Sequence, residues 1–557
     1  KIGADGKLML DSSGDVYQVN LLEKLMVPLL CKFGNLVIDG GIWLNTQRPE
    51  WNDANNALVG QGVSVVTLYY LRRYVCFLQT LLTNESESTI ISKEVNDWIV
   101  ETANALKKVR PLLNNGPISA DERYQCAAEL GQASSRYRET IYQQEAFTGK
   151  MLQPIEQIKS MLDDALAAIE HTISTNERED GLYNAYNLLA FEQESLTIDD
   201  LYPMLEGQVA ALSSGSFSSE KVISVVEALF KSDVYRADQD TFMLYPDRKL
   251  PSFLQKNCVD STKVQDVLLL KQMLKEQDER IILQDSDGLY RFNADLTNAD
   301  DLMAELDTLS GVYGDLVEMS RSSLAELYEE VFNHQEFTGR SGGMFGFEGL
   351  GSIYWHMVAK LLLAVEENFF TALDNGESKD VCQHLGNLYY RVREGLGFNK
   401  TPNEYGAFPA DPYSHTPKHA GAQQPGMTGQ VKEEILTRFG ELGIRVKEGV
   451  VQFQTNLLRS CEFVKEATPF SYLDVDDNWQ EITVPKSGLA FTWCQVPVVY
   501  QLSDSEEPAL TITFKDGTQQ GLSQLTLPAK ESSNLFLRNG QIRQISLNLN
   551  STQLFAE

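Results

Sequence analysis

The segment YWHMVAKLLLAVEENFFTALDNG, residues 354–376, decides the fold class of this chain. Its apolar residues recur at three- and four-residue intervals, which is the spacing of an amphipathic helix. They form one stripe, which consists of Met357, Leu361, Leu362, Val365 and Phe369. Asn375 and Gly376 follow, and both residue types commonly end helices. The segment therefore predicts a long helix whose apolar face packs against a core.

Helical spacing recurs through most of the chain from about residue 17 to 445. It predicts further helices at 62–83, 92–113, 118–145, 150–175, 218–231, 263–279, 299–334 and 428–442. Long connections rich in Gly, Pro, aromatic and polar residues separate some of them, at 35–60, 232–262, 339–352 and 395–427. Because long connections inside a compact domain are usually functional, we expect these to form a site at one end of a ring of helices.

The pattern changes after about Leu442 to short β-rich runs such as LAFTWCQVPVVYQL and QISLNLN. Asp516-Gly517 and Asn539-Gly540 are typical of tight hairpin turns between such strands. We therefore predict a mainly α fold with two domains, a helical domain at 1–445 and a C-terminal β-sandwich at 446–557.

The composition limits the partners that this chain can bind. Its 557 residues include 47 Lys and Arg against 78 Asp and Glu, which gives a formal net charge of −31. A strongly acidic surface repels the phosphates of nucleic acids and anionic membranes, whereas it tolerates a neutral ligand such as a sugar. No apolar run is long enough to predict a membrane span, and the first residues do not resemble a signal peptide.

The cysteines and histidines give no sign of a metal or cofactor. The seven cysteines are scattered and include no C-x-x-C pair, so we predict buried thiols and neither a disulfide framework nor a zinc site. Most histidines lie between residues 334 and 419, but the H-E-x-x-H spacing of zinc enzymes is absent. We expect a polar site without metal or cofactor.

The histidine-rich segment NEYGAFPADPYSHTPKHAGAQQPGMTG, residues 403–429, offers many ligand-binding groups just before a predicted helix. The candidates are Glu404, Asp411, His415, Lys418, Gln423, Gln424 and Thr428. Thr428 also suits the N-cap of the following helix, and the pattern leaves both roles open.

Two predicted helices carry further candidates. His356 and Lys360 lie four residues apart, opposite the apolar stripe, so they can address one ligand or simply face solvent. Glu206 and Gln208 stand beside a run of small residues that ends at Gly215. Glu206 is either a buried acid of a pocket or an ordinary residue on a helix surface, and the spacing does not separate these alternatives.

The stretch RPEWNDANNALVG, residues 48–60, surrounds one tryptophan with amides and acids. The Trp51 indole offers an apolar plate to a sugar ring, while neighbouring polar groups can bind its hydroxyls. These groups belong to Arg48, Glu50, Asn52 and Asp53. Cleavage of a glycosidic bond needs a carboxylic acid that protonates the leaving oxygen, and either Glu50 or Asp53 can supply it. A polar turn that caps the next helix is the alternative.

Together these segments resemble the cellobiose phosphorylase group of glycoside hydrolases, family 94, in a clan with glucoamylase and maltose phosphorylase. The likeness rests on the W-N-D of residues 51–53, on GSIYWHMVAKLLLAVEENF, on NEYGAFPADPYSH and on QQPGMTGQVKEEILTRFGELGI. It covers residues 35–60 and 340–450 and little of the remainder. The resemblance implies an (α/α)6 toroid with a pocket at one end, followed by a β-domain.

The resemblance also implies roles for particular residues. Asp53 would be the general acid, Trp51 would shape the sugar subsite, and Glu404 would bind sugar. The remaining contacts to phosphate and sugar would come from His356, His415, Gln423, Gln424 and Thr428. Inorganic phosphate would attack the anomeric carbon of a gluco-oligosaccharide with inversion, so the reaction would need no cofactor and no protein base.

Other functions stay open at this point. An inverting hydrolase would use water and a second carboxylate, for which Glu206, Glu404 and Asp411 are candidates. A helical scaffold that binds carbohydrate without catalysis would not need Asp53. Phosphorolysis favours the cytoplasm, where sugar phosphate is retained, whereas a hydrolase would also suit the periplasm.

The resemblance places the acid deep within the barrel, whereas Asp53 lies near the first residue of this sequence. We therefore expect that a segment upstream of Lys1, or a second chain, completes the toroid, with a homo-oligomer as the alternative. The helices at about 62–175 are expected to be an insertion that compact phosphorylases lack.

Overall fold

The computed structural model describes residues 8–11, 13–45, 58–114, 116–144, 146–246, 251–332, 353–396, 415–416, 430–503 and 509–556. Its helices are α1 (Leu21–Phe33), α2 (Val65–Leu82), α3 (Lys93–Val109), α4 (Ala120–Gln144), α5 (Ile155–Thr175), α6 (Leu205–Ser213), α7 (Ser219–Leu229), α8 (Phe253–Lys256), α9 (Ser261–Asp266), α10 (Leu268–Glu276), α11 (Ala299–Tyr313), α12 (Asp315–Phe332), α13 (Trp355–Asp374), α14 (Lys379–Glu394), α15 (Gln430–Glu441) and α16 (Ala529–Phe536).

The strands before the C-terminal region are short. They are β1 (Leu36–Val37), β2 (Gly41–Trp43), β3 (Gly62–Ser64), β4 (Ser88–Ser92), β5 (Lys150–Pro154), β6 (Tyr186–Glu192), β7 (Ser195–Asp200), β8 (Tyr235–Arg236), β9 (Thr241–Phe242), β10 (Ile282–Gln284), β11 (Tyr290–Phe292), β12 (Ile353–Tyr354) and β13 (His415–Thr416). The C-terminal strands are β14 (Ile444–Lys447), β15 (Val450–Phe453), β16 (Thr468–Leu473), β17 (Trp479–Val484), β18 (Gly488–Trp493), β19 (Val496–Leu502), β20 (Ala509–Phe514), β21 (Gln519–Leu522) and β22 (Ile542–Leu549). This order confirms a mainly α chain with a β-rich C-terminal region.

Helix α13 confirms the prediction from which the fold class was derived. All members of its predicted stripe are buried: Met357, Leu361, Leu362, Val365 and Phe369. The helix ends just before Asn375 and Gly376, and Gly376 has a φ of 71°, a conformation that glycine adopts without steric cost. Burial of this stripe is the main force that holds the helix in place, since burying one large apolar side chain contributes roughly 1.5–3 kcal/mol.

Helices α2, α6, α13 and α15 pack side by side in that order and form an inner row. An outer layer covers them, in which α5 packs on α2, α14 packs on α13, and α7 contacts α13 and α14. This pairing of inner and outer helices is compatible with an α/α toroid. A closed ring of six pairs stays a prediction.

Contacts along the inner row show that its helices run in parallel. Near their C-terminal ends, Asn368 Nδ2 of α13 donates to the Leu212 carbonyl of α6 at 2.9 Å. There the Glu366 carboxylate also lies against Gly440 of α15, in the space that a Cβ would fill. At the opposite end, His356 of α13 lies near Glu433 of α15. The four N-terminal ends of the row therefore lie at one end of the helical body.

Small sheets within the helical body were not predicted. Strands β1, β2, β3, β6 and β7 form one five-stranded sheet in this order, and β4 pairs with β5. The predicted helix at 150–175 therefore begins later, at Ile155, after a strand. The predicted helix at 299–334 is two helices, separated at Gly314, where φ is 51°.

The C-terminal region centres on a five-stranded sheet of order β18-β19-β22-β20-β21, in which β19 and β22 are parallel. Its core includes Val498, Tyr500, Ile512 and Ile545. Asp516-Gly517 joins β20 to β21 as a hairpin turn, as predicted. The prediction of a hairpin at Asn539-Gly540 is wrong, because this dipeptide lies between α16 and β22.

Residues 248–338 form a compact unit of their own, distinct from the unit made of 1–247 and 339–557. Among its described residues, α8 to α12 and the hairpin β10–β11 enclose a separate core. That core includes Leu270, Met273, Ile282, Leu306, Leu324 and Tyr328. The sequence pattern does not separate this segment from the helical domain, since its helices have the same apolar spacing as their neighbours.

The cysteines differ from their prediction in exposure. Cys31, Cys258 and Cys461 are exposed, and Cys126 and Cys382 are buried. All seven are described, and none forms a disulfide. Within the described ranges, no helix combines the length and apolarity that crossing a bilayer requires.

A buried carboxylate holds the C-terminal ends of α14 and α15 together. Glu441 is 1 % exposed and accepts a hydrogen bond from Tyr389 Oη at 2.7 Å. Its oxygens also lie 2.6 Å from Arg393 Nε and 2.6 Å from Arg438 Nη1. Arg438 in turn pairs with Glu462 of the C-terminal region. The helical body and the C-terminal region thus share one buried charge network.

Replacing Glu441 with Gln should destabilise the protein by about 1–3 kcal/mol, because Arg393 and Arg438 would each lose one charged hydrogen-bond partner while they keep Glu434 and Glu462. Chemical denaturation of the wild type and E441Q would measure this change in the free energy of unfolding. Glu156 pairs with Lys159 on the surface, so E156Q should change it by less than about 0.5 kcal/mol. Equal effects of the two substitutions would contradict the role of Glu441.

Candidate functional site

The candidate site lies at the N-terminal ends of α2, α6, α13 and α15. Each helix presents the positive end of its dipole there, which favours bound anions. Three of the predicted long connections lead into this end of the row, since 35–60 precedes α2, 339–352 precedes α13 and 395–427 precedes α15. Sequence connectivity therefore brings three predicted site segments toward one place.

The two ends of the segment 46–57 are held beside the start of α2. The Leu44 N–H donates to the Gly62 carbonyl at 2.9 Å, and the Gly60 N–H donates to the Leu44 carbonyl at 2.7 Å. Trp43 Nε1 also donates to the Gly60 carbonyl at 3.0 Å. The chain thus leaves and re-enters the sheet at adjacent positions, which fixes where this segment begins and returns.

A buried ionic network supports the turn that precedes this segment. Asp39 has a φ of 65°, which is uncommon for a residue other than glycine. Its carboxylate accepts hydrogen bonds from Arg123 Nη2 at 2.8 Å and from the Ile118 N–H at 3.0 Å, and it lies 2.9 Å from His171 Nε2. These bonds tie the β1–β2 turn to α4 and α5, so the long helices at 93–175 stabilise the base of the candidate site.

Glu206 is a buried acid at the first turn of α6. It is 9 % exposed, and Tyr186 Oη donates to its Oε2 at 2.9 Å. Tyr186 pairs in the sheet with Ser64, the N-cap residue of α2. The interpretation of Glu206 as an ordinary surface residue is therefore wrong, and this carboxylate lies where the first turns of α2 and α6 meet.

Gln208 has a structural role in this geometry. Its side chain is fully buried, and its Nε2 donates to the carbonyls of Tyr183 at 2.7 Å and Met204 at 3.1 Å. Its Oε1 accepts from the Tyr183 N–H at 2.9 Å. Because these bonds to the backbone occupy both N–H donors, the amide joins α6 to the chain before β6 and does not support the predicted contact to substrate.

His356 and Glu433 join the starts of α13 and α15. His356 Nε2 lies 3.5 Å from Glu433 Oε1, and both side chains are buried, at 9 % and 4 % exposure. Lys360 follows one turn later on α13 and is half-buried. The alternative that this face of the helix simply faces solvent is therefore wrong for His356.

The backbone of His415 lies beside the start of α13. Strand β13 pairs with β12, and His415 is the partner of Tyr354, two residues before His356. This pairing brings part of the predicted histidine-rich segment to the N-terminal end of the inner row.

The other predicted site residues lie outside the described residues, and their placement stays a prediction. They are Arg48, Glu50, Trp51, Asn52, Asp53, Glu404, Asp411, Lys418, Gln423, Gln424 and Thr428. Among the residues that are described, no group of three or more His, Cys, Asp or Glu side chains is arranged to hold a metal ion.

Two residues of this site were missed by the sequence analysis. Tyr186 belongs to a strand that was not predicted, and Glu433 lies 77 residues after its partner His356 in the sequence. Neither has a local motif that would distinguish it, since each contact depends on the pairing of distant segments. The only available signal was the position of Glu433 in the first turn of a predicted helix next to the histidine-rich segment.

Part of the chain matches a known family model. Residues 250–335 match the family model described as GH149 phosphorylase insertion domain 2, a span that lies within the separate compact unit 248–338. The match supports a glycoside phosphorylase, and hence an enzyme that acts on glycosides, but does not single out the family 94 type. No curated protein matches the chain.

Burial near the candidate site raises the pKa of one carboxyl group into the neutral range. Glu434 follows Glu433 on α15, and burial raises its pKa to about 7, although the nearby Arg393 guanidinium opposes the shift. Burial also raises the pKa of Glu366 well above its ordinary value, and the negative charge of Glu441 adds to this shift. At a pH between the ordinary and the raised pKa, the folded protein therefore retains protons that the unfolded chain has released.

This difference predicts how stability depends on pH. Between the ordinary glutamate pKa of 4.5 and about pH 7, the folded state binds more protons, so stability should fall as the pH rises through this window. E434Q should reduce this slope without removing it, because Glu366 contributes in the same direction. Melting temperatures at pH 4.5–8 would measure the effect, with the exposed Glu156 as the E156Q control. If stability changed with pH equally steeply in E434Q and the wild type, this prediction would be wrong.

Proposed function

We propose that this chain carries the active site of an inverting glycoside phosphorylase that cleaves a gluco-oligosaccharide. The match of residues 250–335 to a phosphorylase insertion domain is the observation that carries the proposal. The parallel inner helices support it independently, because their N-terminal ends create a field that favours an anionic co-substrate such as phosphate.

In this proposal Asp53, in its protonated form, donates a proton to the glycosidic oxygen. An oxygen of inorganic phosphate attacks the anomeric carbon from the opposite face, and the products are a sugar 1-phosphate with inverted configuration and a shortened oligosaccharide. Phosphate is already an anionic nucleophile, so no protein base is needed. Trp51 forms one wall of the sugar subsite, and Glu50 lies beside the acid.

The remaining predicted residues would bind the two substrates. His356 and Lys360 lie on the first turns of α13, where the helix dipole also favours an anion, so they are placed with phosphate. Glu206, which accepts a hydrogen bond from Tyr186, and Glu404 would bind sugar hydroxyls, because a carboxylate accepts hydrogen bonds from hydroxyl groups. The other proposed contacts are Arg48, Asn52, Asp411, His415, Gln423, Gln424 and Thr428.

The proposal also covers the co-substrate, the partners and the location of the enzyme. The enzyme needs inorganic phosphate and no cofactor, and neither nucleic acid nor membrane is a partner of a chain with this net charge. A further segment, a second chain or another copy would complete the toroid around the inner row. A cytoplasmic location fits a reaction whose sugar phosphate product is retained by the cell.

The reaction type can be tested directly with β-linked gluco-oligosaccharides in the presence and absence of phosphate. We expect sugar 1-phosphate only when phosphate is present. Free sugar formed at the same rate without phosphate would favour the inverting hydrolase. D53N should reduce the rate about a hundredfold to ten-thousandfold, the usual contribution of a general acid. D121N, on the exposed first turn of α4, is the matched control.

The phosphate contact can be tested by steady-state kinetics of H356A. Loss of a hydrogen bond to an anion should raise the KM for phosphate roughly tenfold or more, while the KM for the oligosaccharide changes little. His384 pairs with Glu227 on the outer helices and is half-exposed, so H384A should leave both KM values unchanged. A rise confined to the KM for the oligosaccharide would place His356 with the sugar instead.

A further inference from the structure

Glu433 is a buried acid beside His356, the residue proposed to contact phosphate. Its Oε1 lies 3.5 Å from His356 Nε2. Glu433 belongs to the first turn of α15, and His356 is the second residue of α13. An anionic side chain is therefore held close to the place where the proposed reaction binds an anionic co-substrate.

A negative charge at this place opposes phosphate unless it acts through a neighbouring residue. Like charges repel each other strongly where burial excludes water, and a buried carboxylate is costly unless it is paired. The dipole of α15 stabilises an acid in its first turn, but that acid also weakens the field that would hold phosphate. His356 is the neighbour through which Glu433 can favour phosphate instead.

A second pair of the same type shows what distinguishes this one. His384 Nε2 of α14 lies 3.4 Å from Glu227 Oε1 of α7, but these side chains are 47 % and 34 % exposed. Such an exposed pair contributes little, because water competes for both groups. The side chains of His356 and Glu433 are only 11 % and 6 % exposed, so here the carboxylate can fix the orientation of the ring.

The position of Glu433 determines which nitrogen of His356 a ligand can reach. An ionised carboxylate accepts hydrogen bonds, so Nε2, which faces Glu433, carries a proton. Nε2 has almost no exposed surface, and the other polar atom of the ring is Nδ1. Nδ1 donates to an anion only when it is protonated as well, and the charge of Glu433 balances the positive charge of this doubly protonated ring.

The next residue of α15 has a different partner. Glu434 Oε2 lies 3.6 Å from Arg393 Nη1 of α14, whereas Glu433 contacts α13. The two consecutive carboxylates therefore interact with different helices. Glu434 offers a matched comparison, because the same side chain type on the same turn pairs with a different residue.

We propose that Glu433 is a positioning residue for phosphate. Its carboxylate accepts a hydrogen bond from His356 Nε2, orients the imidazole ring and balances its charge, and His356 Nδ1 donates to a phosphate oxygen. The distance of 3.5 Å shortens when phosphate binds, as hydrogen bonds in active sites commonly do when the substrate arrives. This role rests on the proposed function, because it requires that His356 contact phosphate.

Steady-state kinetics of E433Q separate this role from simple repulsion, because the two predict opposite changes. If Glu433 acts through His356, E433Q should raise the KM for phosphate roughly fivefold or more, about the contribution of one hydrogen bond. The KM for the oligosaccharide should not change. A KM for phosphate that falls or stays the same in E433Q would overturn the proposal. E434Q is the matched control and should leave both KM values unchanged.

The double variant H356A/E433Q tests whether the two residues act together. Its KM for phosphate should not exceed that of H356A, because the effect of Glu433 passes through the imidazole ring. If the increases caused by the two single substitutions multiplied in the double variant, Glu433 would act independently of His356 and the proposal would be wrong.

A measurement on the wild type stands even if E433Q fails to fold. With histidines labelled with ¹⁵N, the ring resonances of His356, assigned with H356A, show which nitrogens carry protons. At saturating phosphate we expect both nitrogens to be protonated, with a saturable shift of Nδ1. A resonance that phosphate does not affect, or a nitrogen without a proton in the phosphate complex, would overturn the proposal.

The same experiments distinguish this proposal from the proposed function. A wild-type protein that forms no sugar 1-phosphate from β-linked gluco-oligosaccharides would contradict both. Sugar 1-phosphate formed by the wild type and by E433Q with the same KM for phosphate would contradict only the role of Glu433.

Discussion

The buried charge of Glu441 is the constraint on which the arrangement of the helical body most depends. Its carboxylate interacts with Tyr389, Arg393 and Arg438, and through Arg438 with Glu462. A charge at 1 % exposure is stable only when its partners surround it, so these elements have one relative position that satisfies all of them. This fixes α14, α15 and the C-terminal region as one body.

The consequence of this constraint appears at the opposite end of the same helices. Because the C-terminal ends of α13 and α15 are packed tightly, with the Glu366 carboxylate against Gly440, their N-terminal ends are held in register. His356 and Glu433 meet there, and Tyr186 and Glu206 meet at the starts of α2 and α6. One end of the helical body is thus rigid, whereas long connections and helix dipoles converge at the other end. This is the usual division between scaffold and site.

The sequence predicted those features that depend on local patterns. The stripe in α13, the β-rich C-terminal region and the turn at Asp516-Gly517 all follow from spacing and turn chemistry within about twenty residues. The sheet of β1, β2, β3, β6 and β7 did not follow, since strands of two or three residues carry no periodicity and gain stability only by pairing across the chain. The contact between Glu433 and His356 was not predicted either, because it also depends on segments that are distant in the sequence. Glu206 was a candidate from the sequence, and its burial in the structure decided between the two interpretations.

The structure contains two kinds of buried carboxylate, which differ in how completely they are hydrogen-bonded. Glu441 has hydrogen-bond donors or positive charges at both oxygens, so its role is complete within the protein. Glu94 has donors at one oxygen only, and its second oxygen has no hydrogen-bond partner among the described residues. Since both arrangements pay the same kind of desolvation cost, the incompletely bonded carboxylate of Glu94 should stabilise the fold less than that of Glu441. This distinction depends on hydrogen bonding and not on residue type or sequence position, so it becomes visible only in the folded structure.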